Sequence, residues 1–222
     1  MKILGYDVSK PFDYENGFYI TSPKSRISKI LGHYEIYNKI INLDGDIVEF
    51  GVFKGASLIR FATFRDIIEK KGSRKIIGFD AFGQFPRHNI DSDNEFADYH
   101  DELVGYGIPF EDLKKCLKYK KIDNVELIKG DILKTLPKYL EKNNNLKIAL
   151  LHIDVDVYLP TKMILELLFN KVVKNGIILL DEYNEKGGEG ESRAVNEFYS
   201  DKEFEPIKMD LIKDRAPTII IK

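Results

Sequence analysis

Short apolar runs alternate with helical patterns along the chain. Runs rich in β-branched and aromatic residues, each ending near a turn or an acid, are typical of buried strands. They predict strands over Asp46–Phe50, Lys75–Asp80, Val125–Ile132, Lys147–Asp154 and Ile177–Glu182. Apolar residues three and four apart predict helices over Ile27–Ile41, Ala56–Arg65, Glu111–Tyr119, Thr161–Val172, from Ser192 to Tyr199 and from Ile132 on. This alternation favours an α/β fold with a parallel sheet.

The last part of the chain adds two apolar runs, Phe204–Met209 and Thr218–Ile221, on either side of Asp214-Arg-Ala-Pro. Two runs around such a turn predict an antiparallel hairpin. The complete expectation is a Rossmann-like, doubly wound, mostly parallel seven-stranded sheet with a C-terminal antiparallel hairpin. In such a sheet, ligands bind beyond the carboxyl ends of the strands.

Two segments lie outside this regular pattern. Residues 1–28 hold aromatic side chains without a clear period and are broken by prolines and a glycine, so we expect an irregular N-terminal arm. Residues 81–107 are polar and rich in acids. A long connection of this kind usually folds as a lid or carries function, although a solvated acidic face is the alternative. With 222 residues, the chain 1–222 is expected to form a single domain.

Composition narrows the functional class. The net charge is -2, and lysines are mixed with acids, so we expect no nucleic-acid partner. The N-terminus lacks the apolar core of a signal peptide, and no apolar run is long enough to span a membrane. A single cysteine excludes a framework of disulfides within the chain and favours a reducing, cytoplasmic location.

Acidic residues stand where the predicted strands end, namely Asp80, Asp131, Asp154, Asp181 and Glu182. Carboxylates from neighbouring strand ends repel each other, and a divalent cation would relieve that repulsion. Oxygen ligands suit Mg²⁺ better than a soft metal. Helix caps and salt bridges to lysines are the alternative explanation for these acids.

The turn after the first strand contains the spacing Glu49-x-Gly51-x-x-x-Gly55. This spacing matches neither the dinucleotide fingerprint nor the phosphate loop, and alone it fits an ordinary turn between a strand and a helix. The acidic strand residue and spaced glycines resemble the first motif of class I S-adenosylmethionine (SAM) dependent methyltransferases. That resemblance implies cofactor contacts from Glu49, Gly51, Val52, Gly55 and Ser57.

Two later acids have positions suited to a nucleoside. Asp80 follows Gly55 at about the offset where nucleotide-binding folds place an acid on the ribose hydroxyls. Asp131 could accept a hydrogen bond from an adenine amine, and Ala81 and Gly130 lie beside these two acids. The alternatives are a turn residue for Asp80 and a helix cap for Asp131.

Four motifs in order make the resemblance more specific. They are Val48-Glu-Phe-Gly-Val-Phe-Lys-Gly, Gly78-Phe-Asp-Ala-Phe-Gly-Gln-Phe-Pro, Ile153-Asp-Val-Asp-Val-Tyr and Leu180-Asp-Glu-Tyr. Together they resemble the metal-dependent macrocin-type sugar O-methyltransferases. The resemblance implies SAM and Mg²⁺ as cofactors, a carbohydrate-type small molecule as acceptor, and metal ligation by Asp154, Asp181 and Glu182. The family usually has two aspartates where this chain has Asp181-Glu182.

Methyl transfer to a hydroxyl also requires a group that removes the proton. We expect Asp154 or Asp156 to be this catalytic base, and His152 to be a packed strand residue. Asp154-Val-Asp156 also matches the D-x-D motif of metal-dependent glycosyltransferases, and a noncatalytic SAM-binding homologue is a further alternative. The protein is expected to form a homo-oligomer.

Overall fold

The computed structural model describes residues 2–185, 187–200, 205–209 and 216–222. Its strands are β1 (Lys2–Ile3), β2 (Tyr6–Asp7), β3 (Asp46–Phe50), β4 (Ile76–Asp80), β5 (Val125–Lys129), β6 (Ile148–Ile153), β7 (Val172–Leu180), β8 (Ile207–Lys208) and β9 (Thr218–Ile221). Its α-helices are α1 (Pro11–Thr21), α2 (Lys24–Ile40), α3 (Ala56–Ile68), α4 (Asp91–Val104), α5 (Phe110–Lys120), α6 (Ile132–Lys142), α7 (Tyr158–Leu168) and α8 (Glu189–Tyr199).

The main sheet has seven strands in the order β5-β4-β3-β6-β7-β9-β8. The five strands from β5 to β7 pair in parallel, whereas β9 is antiparallel to both β7 and β8. This confirms the predicted α/β class and the antiparallel edge. Strand order reverses between β3 and β6, so the carboxyl ends of these two strands flank the switch point where ligands bind in such sheets.

Apolar side chains fill both faces of the sheet. One cluster joins α2, α3 and α5 to one face, and the other joins α6, α7 and α8 to the opposite face. Strand β6 is buried along its whole length because it lies at the centre of the sheet with both faces covered. This packing holds the strand ends in fixed relative positions.

The N-terminal region differs from the predicted irregular arm. It contains the small β1–β2 hairpin and helix α1, and α2 begins at Lys24. Pro11 is compatible with the start of α1 because the first helical residue needs no partner for its N–H. Helix α1 has no buried residue, so the apolar periodicity that would have indicated it is missing.

The predicted lid segment, 81–107, also contains regular structure. Its second half forms α4, and the Asp93 carboxylate on this helix accepts hydrogen bonds from the backbone N–H groups of Tyr158 and Leu159 at 3.1 Å each. Asp93 therefore satisfies free N–H groups at the start of α7. The segment is tied to the loop that follows β6.

Of the two closing strands, β9 has the predicted bounds, Thr218–Ile221, whereas β8 is shorter than predicted. Strand β8 begins at Ile207, and the start of the predicted run and the turn residues Asp214 and Arg215 lie outside the described residues. Strand β7 begins earlier than predicted and includes Asn175 with a φ of 63°. Its pairing with β6 shifts register there, so the strand contains an irregularity before Ile177. Among the described helices, none combines the length and apolar composition needed to cross a membrane.

Candidate active site

A crevice opens at the carboxyl ends of β3, β4 and β6. Six of the residues predicted to bind SAM line this crevice: Gly51, Asp80, Ala81, Gly130, Asp131 and Asp154. Asp156 also lines it. The lining does not include Glu49, Val52, Gly55 or Ser57. The crevice therefore gathers acids from three separate strand ends beside the turn that follows β3.

Gly51 is required by a close backbone contact. Its φ is 86°, and a Cβ at this position would collide with the backbone carbonyl of Asp154. The two strands are also joined there, because the Asp154 N–H donates to the Phe50 carbonyl at 2.9 Å. Only glycine combines this conformation with this approach. Gly51 thus brings the β3 turn directly against the acid at the end of β6.

Gly55 has a different structural task. It has a φ of 81°, precedes the first residue of α3, and a Cβ there would lie 2.9 Å from Leu113 Cδ1. The residue lets the chain enter α3 while α5 packs against it. Val52 is buried in the same region. Gly55 and Val52 therefore support the turn without lining the crevice.

Glu49 lies beneath the crevice floor in a buried ionic chain. Its Oε1 accepts a hydrogen bond from the Ser57 hydroxyl at 2.7 Å, and its Oε2 lies 3.5 Å from Nδ1 of His152. The other ring nitrogen of His152 lies 3.5 Å from Asp181 Oδ1. Glu49 and His152 are both fully buried. Although burial opposes the charge, Asp181 and Glu49 raise the pKa of His152 to about 10.

Lys29 of α2 is the next member of this series of charged groups. Its Nζ lies 2.5 Å from Asp181 Oδ2 and 4.0 Å from Asp154 Oδ2. Burial disfavours the ammonium, but Asp154 and Asp181 raise the pKa of Lys29. Burial likewise opposes ionisation of Asp181, yet Lys29 and His152 hold the pKa of that carboxyl well below its usual range. Asp181 is therefore a carboxylate held between two cations.

A second group of acids converges nearby, where Asp154 Oδ2 lies 4.0 Å from Lys29 Nζ. Asp154, Asp156 and Glu182 each offer a carboxylate oxygen, and these oxygens lie within 4.8 Å of one another. Burial and the charge of Asp181 raise the pKa of Asp154 to about 7, and burial and Asp154 raise the pKa of Asp156 well above its usual range. Oxygen donors at this spacing fit a hard cation such as Mg²⁺.

The acids predicted as metal ligands thus divide between two environments. Asp154 and Glu182 converge with Asp156, whereas Asp181 is grouped with His33 and His152. The second group is less suited to a hard cation because two of its donors are nitrogens. His33 Nδ1 also lies 3.1 Å from Arg60 Nη1, and Lys29 already contacts Asp181.

Glu191 of α8 supports the acid cluster from behind. Its Oε1 accepts a hydrogen bond from the Glu182 N–H at 3.2 Å, and its backbone N–H donates to the Asp156 carbonyl. The side chain is fully buried, and its Oε2 has no hydrogen-bond partner among the residues that the structure describes. Burial and Asp154 raise its pKa well above the usual range. The sequence did not indicate this residue because it lies inside a helix far from any strand end.

Asp80 and Asp131 line the crevice and also stabilise their own turns. Asp80 Oδ2 accepts a hydrogen bond from the Phe53 N–H at 2.8 Å, and Oδ1 accepts one from the Phe82 N–H. Burial raises the pKa of Asp80 against the effect of these hydrogen bonds. Asp131 caps α6 by accepting from the Leu133 N–H at 3.0 Å. Both turn or cap roles considered for these acids are therefore present.

An aromatic wall completes the crevice on the side of segment 81–107. Phe53, Phe85 and His100 line it, with ring centroids 5.2 Å apart for Phe53 and His100 and 5.5 Å apart for Phe85 and His100. His88 also lines the crevice, and its Nε2 lies 3.9 Å from Asp131 Oδ1. The concentration of aromatic residues after Asp80 was the available signal for this wall.

Residues 26–213 match the family described as macrocin-O-methyltransferase (TylF). No curated protein matches the chain by sequence.

Three solved structures are similar in fold. The crystal structure of CalS11, a calicheamicin methyltransferase, is 26% identical, with a TM-score of 0.78 over 97% of this chain and 87% of that chain. The apo structure of CalS11, described as a TDP-rhamnose 3'-O-methyltransferase, is 24% identical, with a TM-score of 0.70 and the same coverage. The O-methyltransferase NovP is 22% identical, with a TM-score of 0.72 over 88% of this chain and 80% of that chain. Because the family match spans most of the chain, this protein belongs to the macrocin-O-methyltransferase (TylF) family of SAM-dependent O-methyltransferases.

Proposed function

We propose that the protein methylates a hydroxyl of a sugar or of a sugar-containing small molecule, with SAM as donor and Mg²⁺ as activator. The observation that carries this proposal is the convergence of Asp154, Asp156 and Glu182 at the edge of the crevice beside Gly51. A hard-cation site next to the SAM-binding turn suits activation of a hydroxyl acceptor. The CalS11 relative, described as acting on TDP-rhamnose, supports a carbohydrate acceptor.

We assign SAM to the crevice above the β3 turn. The backbone of Gly51 and Ala81 would approach the cofactor, and Asp80 retains acceptor capacity for ribose hydroxyls beyond its two N–H contacts. Asp131 and Gly130 would meet the adenine side. The predicted contributions of Glu49, Val52, Gly55 and Ser57 become indirect, because these residues support the turn from below.

The proposed metal ligands come from the acids predicted from the sequence and from the positions of those acids in the structure. Asp154, Asp156 and Glu182 would hold the ion, and Asp181 is the adjacent acid predicted from the sequence as a ligand. When bound, SAM supplies an electrophilic methyl group and Mg²⁺ lowers the pKa of a coordinated hydroxyl. Asp154 or Asp156 accepts the hydroxyl proton as the acceptor oxygen becomes nucleophilic. Both carboxylates line the crevice, so either can serve without a change in the fold.

A second groove offers a place for the acceptor. It shares Asp156 with the SAM crevice and is lined by Asp93, Tyr158, Glu189 and Arg193. The guanidinium carbon of Arg193 lies 4.3 Å from the centre of the Tyr158 ring. Arg193 therefore covers a face of the Tyr158 ring, and the charged groups of Arg193 and Glu189 are what suit the hydroxyls of a sugar. The groove would place an acceptor hydroxyl next to the acid cluster.

The test is SAM-dependent methylation of a panel of nucleotide-linked and free sugars. Formation of S-adenosylhomocysteine should fall after treatment with EDTA and return with Mg²⁺. Asp156→Asn should lower kcat by about a hundredfold or more, as expected for loss of a metal ligand or base. Glu126→Gln, a partly exposed change on β5, is the control. Full turnover in EDTA would refute the metal assignment. If the enzyme methylates none of the sugars in the panel, the proposed acceptor class is refuted.

Family membership argues against the D-x-D glycosyltransferase alternative. Calorimetry can test this, because binding of a UDP-sugar together with no binding of SAM would favour the glycosyltransferase. We further infer a homo-oligomer, supported by the exposed apolar residues of α1, and a cytoplasmic location, supported by the single free Cys116.

A further inference from the structure

Lys29 places a positive charge inside the acid cluster from a distant part of the sequence. It belongs to α2, while its partners follow β6 and β7. Its side chain is only 25% exposed, compared with 24% for Asp154 and 7% for Asp181. An ammonium held at this depth between two carboxylates is a built part of the site.

The position of Lys29 relative to the proposed metal ligands is the central observation. Its Nζ contacts Asp181 at 2.5 Å and lies 4.0 Å from Asp154. Glu182 also acts on it electrostatically. His152 faces Asp181 from the opposite, fully buried side. Lys29 therefore acts on the same negative charges that would attract a divalent ion.

We propose that Lys29 is a positioning residue, a tethered cation that contacts Asp181, lies beside the metal ligand Asp154, and weakens the binding of the divalent ion by its charge. The inference rests on the proposed metal site. A purely structural link between α2 and the sheet makes the opposite prediction, because loosening the ligands would weaken metal binding.

Lys29→Met preserves the length of the side chain and removes its charge. Calorimetric titration with Mn²⁺ should show binding at least about tenfold tighter than in the wild type, the size of a short-range charge effect even with strong screening. Lys29→Arg keeps the charge and should stay close to the wild type. Lys39→Met on the same helix is the matched control, since Lys39 pairs with Glu35 at 3.3 Å, away from the site.

Binding of S-adenosylhomocysteine checks that each variant is folded. If Lys29→Met does not fold, Lys29→Gln provides the same comparison with a side chain that still donates to Asp181. Mn²⁺ binding that is unchanged or weaker in the neutral variant, with normal wild-type binding, overturns the role of Lys29 alone. Absence of Mn²⁺ binding in both proteins overturns the proposed metal site, and this role with it.

Discussion

Single buried charges account for much of the site. From Glu49 through His152 and Asp181 to Lys29, negative and positive groups alternate over three strands and one helix. Each charge lost its water on folding, and its neighbours replace that solvation only while all partners are present. We therefore expect Glu49 to support the site indirectly, through His152 and the strand ends.

Glu49→Gln tests this interpretation at one atom. The change keeps the shape but leaves His152 with half of its counter-ions, so we expect a loss of about 3 to 5 kcal/mol in the free energy of unfolding. Urea denaturation measures it. Glu35→Gln, in a partly exposed ion pair with Lys39, should change stability by under about 1 kcal/mol. Unchanged stability together with lost SAM affinity would instead indicate direct contact with the cofactor.

Sequence position alone does not give side-chain direction. The acids at the strand ends could be predicted, because a run such as Lys147–Asp154 indicates where a strand stops. Asp156 joins Asp154 with a φ of 63°, and Asp181 is paired with Lys29 at 2.5 Å; neither feature can be predicted from position along the chain. Lys29 itself lies in an ordinary amphipathic helix, where nothing in the pattern distinguishes it from solvated lysines.

At the scale of elements, α4 is fixed to the active-site loop by one carboxylate. Asp93 is 4% exposed and accepts from two N–H groups at the start of α7, directly after Asp156 and Val157. Arg87 binds Asp98 and Asp101 at 2.7 and 2.9 Å, which ties the preceding loop to the same helix. We therefore expect segment 81–107 to move as a unit about these contacts.

Asp93→Ala should release this unit. Loss of the cap is expected to cost about 1 to 2 kcal/mol and to speed hydrogen exchange in 91–104 and at the start of α7. Exchange mass spectrometry measures both segments. Asp91→Ala changes an exposed acid in the first turn of the same helix and serves as the control. Equal exchange in both variants would show that another contact holds the segment.

Elements with a strong apolar pattern were predictable, and those without one were not. Strand β3 begins and ends where the sequence predicts, because consecutive apolar residues are buried on both faces. Helix α1 buries no residue and α4 buries only Asp93 and Ala97, so neither carries the apolar stripe that identifies a helix. Both helices lie in the two segments that the sequence left without regular structure.

At the scale of the whole molecule, helix α1 contributes no buried residue to the core. Phe12 is 70% exposed, Tyr19 62% and Ile20 81%. Exposed apolar side chains grouped on one short helix commonly mark an interface. The predicted homo-oligomer would cover them with a second copy.

Light scattering after size exclusion tests this expectation. The wild type should elute as an oligomer, and Phe12→Asp with Ile20→Asp should shift it to the monomer mass, because charges cannot be buried at an apolar contact without a partner. Lys10→Asp, a change at an exposed polar position just before α1, should leave the mass unchanged. A monomeric wild-type protein would contradict the expectation.

The contact between Gly51 and the Asp154 backbone has a consequence for redesign. Synthetic donors that carry transferable groups bulkier than methyl need extra room in the crevice. The turn at Gly51 cannot provide this room, because a single carbon added there already collides with the Asp154 backbone. Enlargement belongs on the opposite wall, where Phe53, Phe85 and His100 are side chains that can be trimmed. Catalytic geometry and donor size can then be adjusted separately.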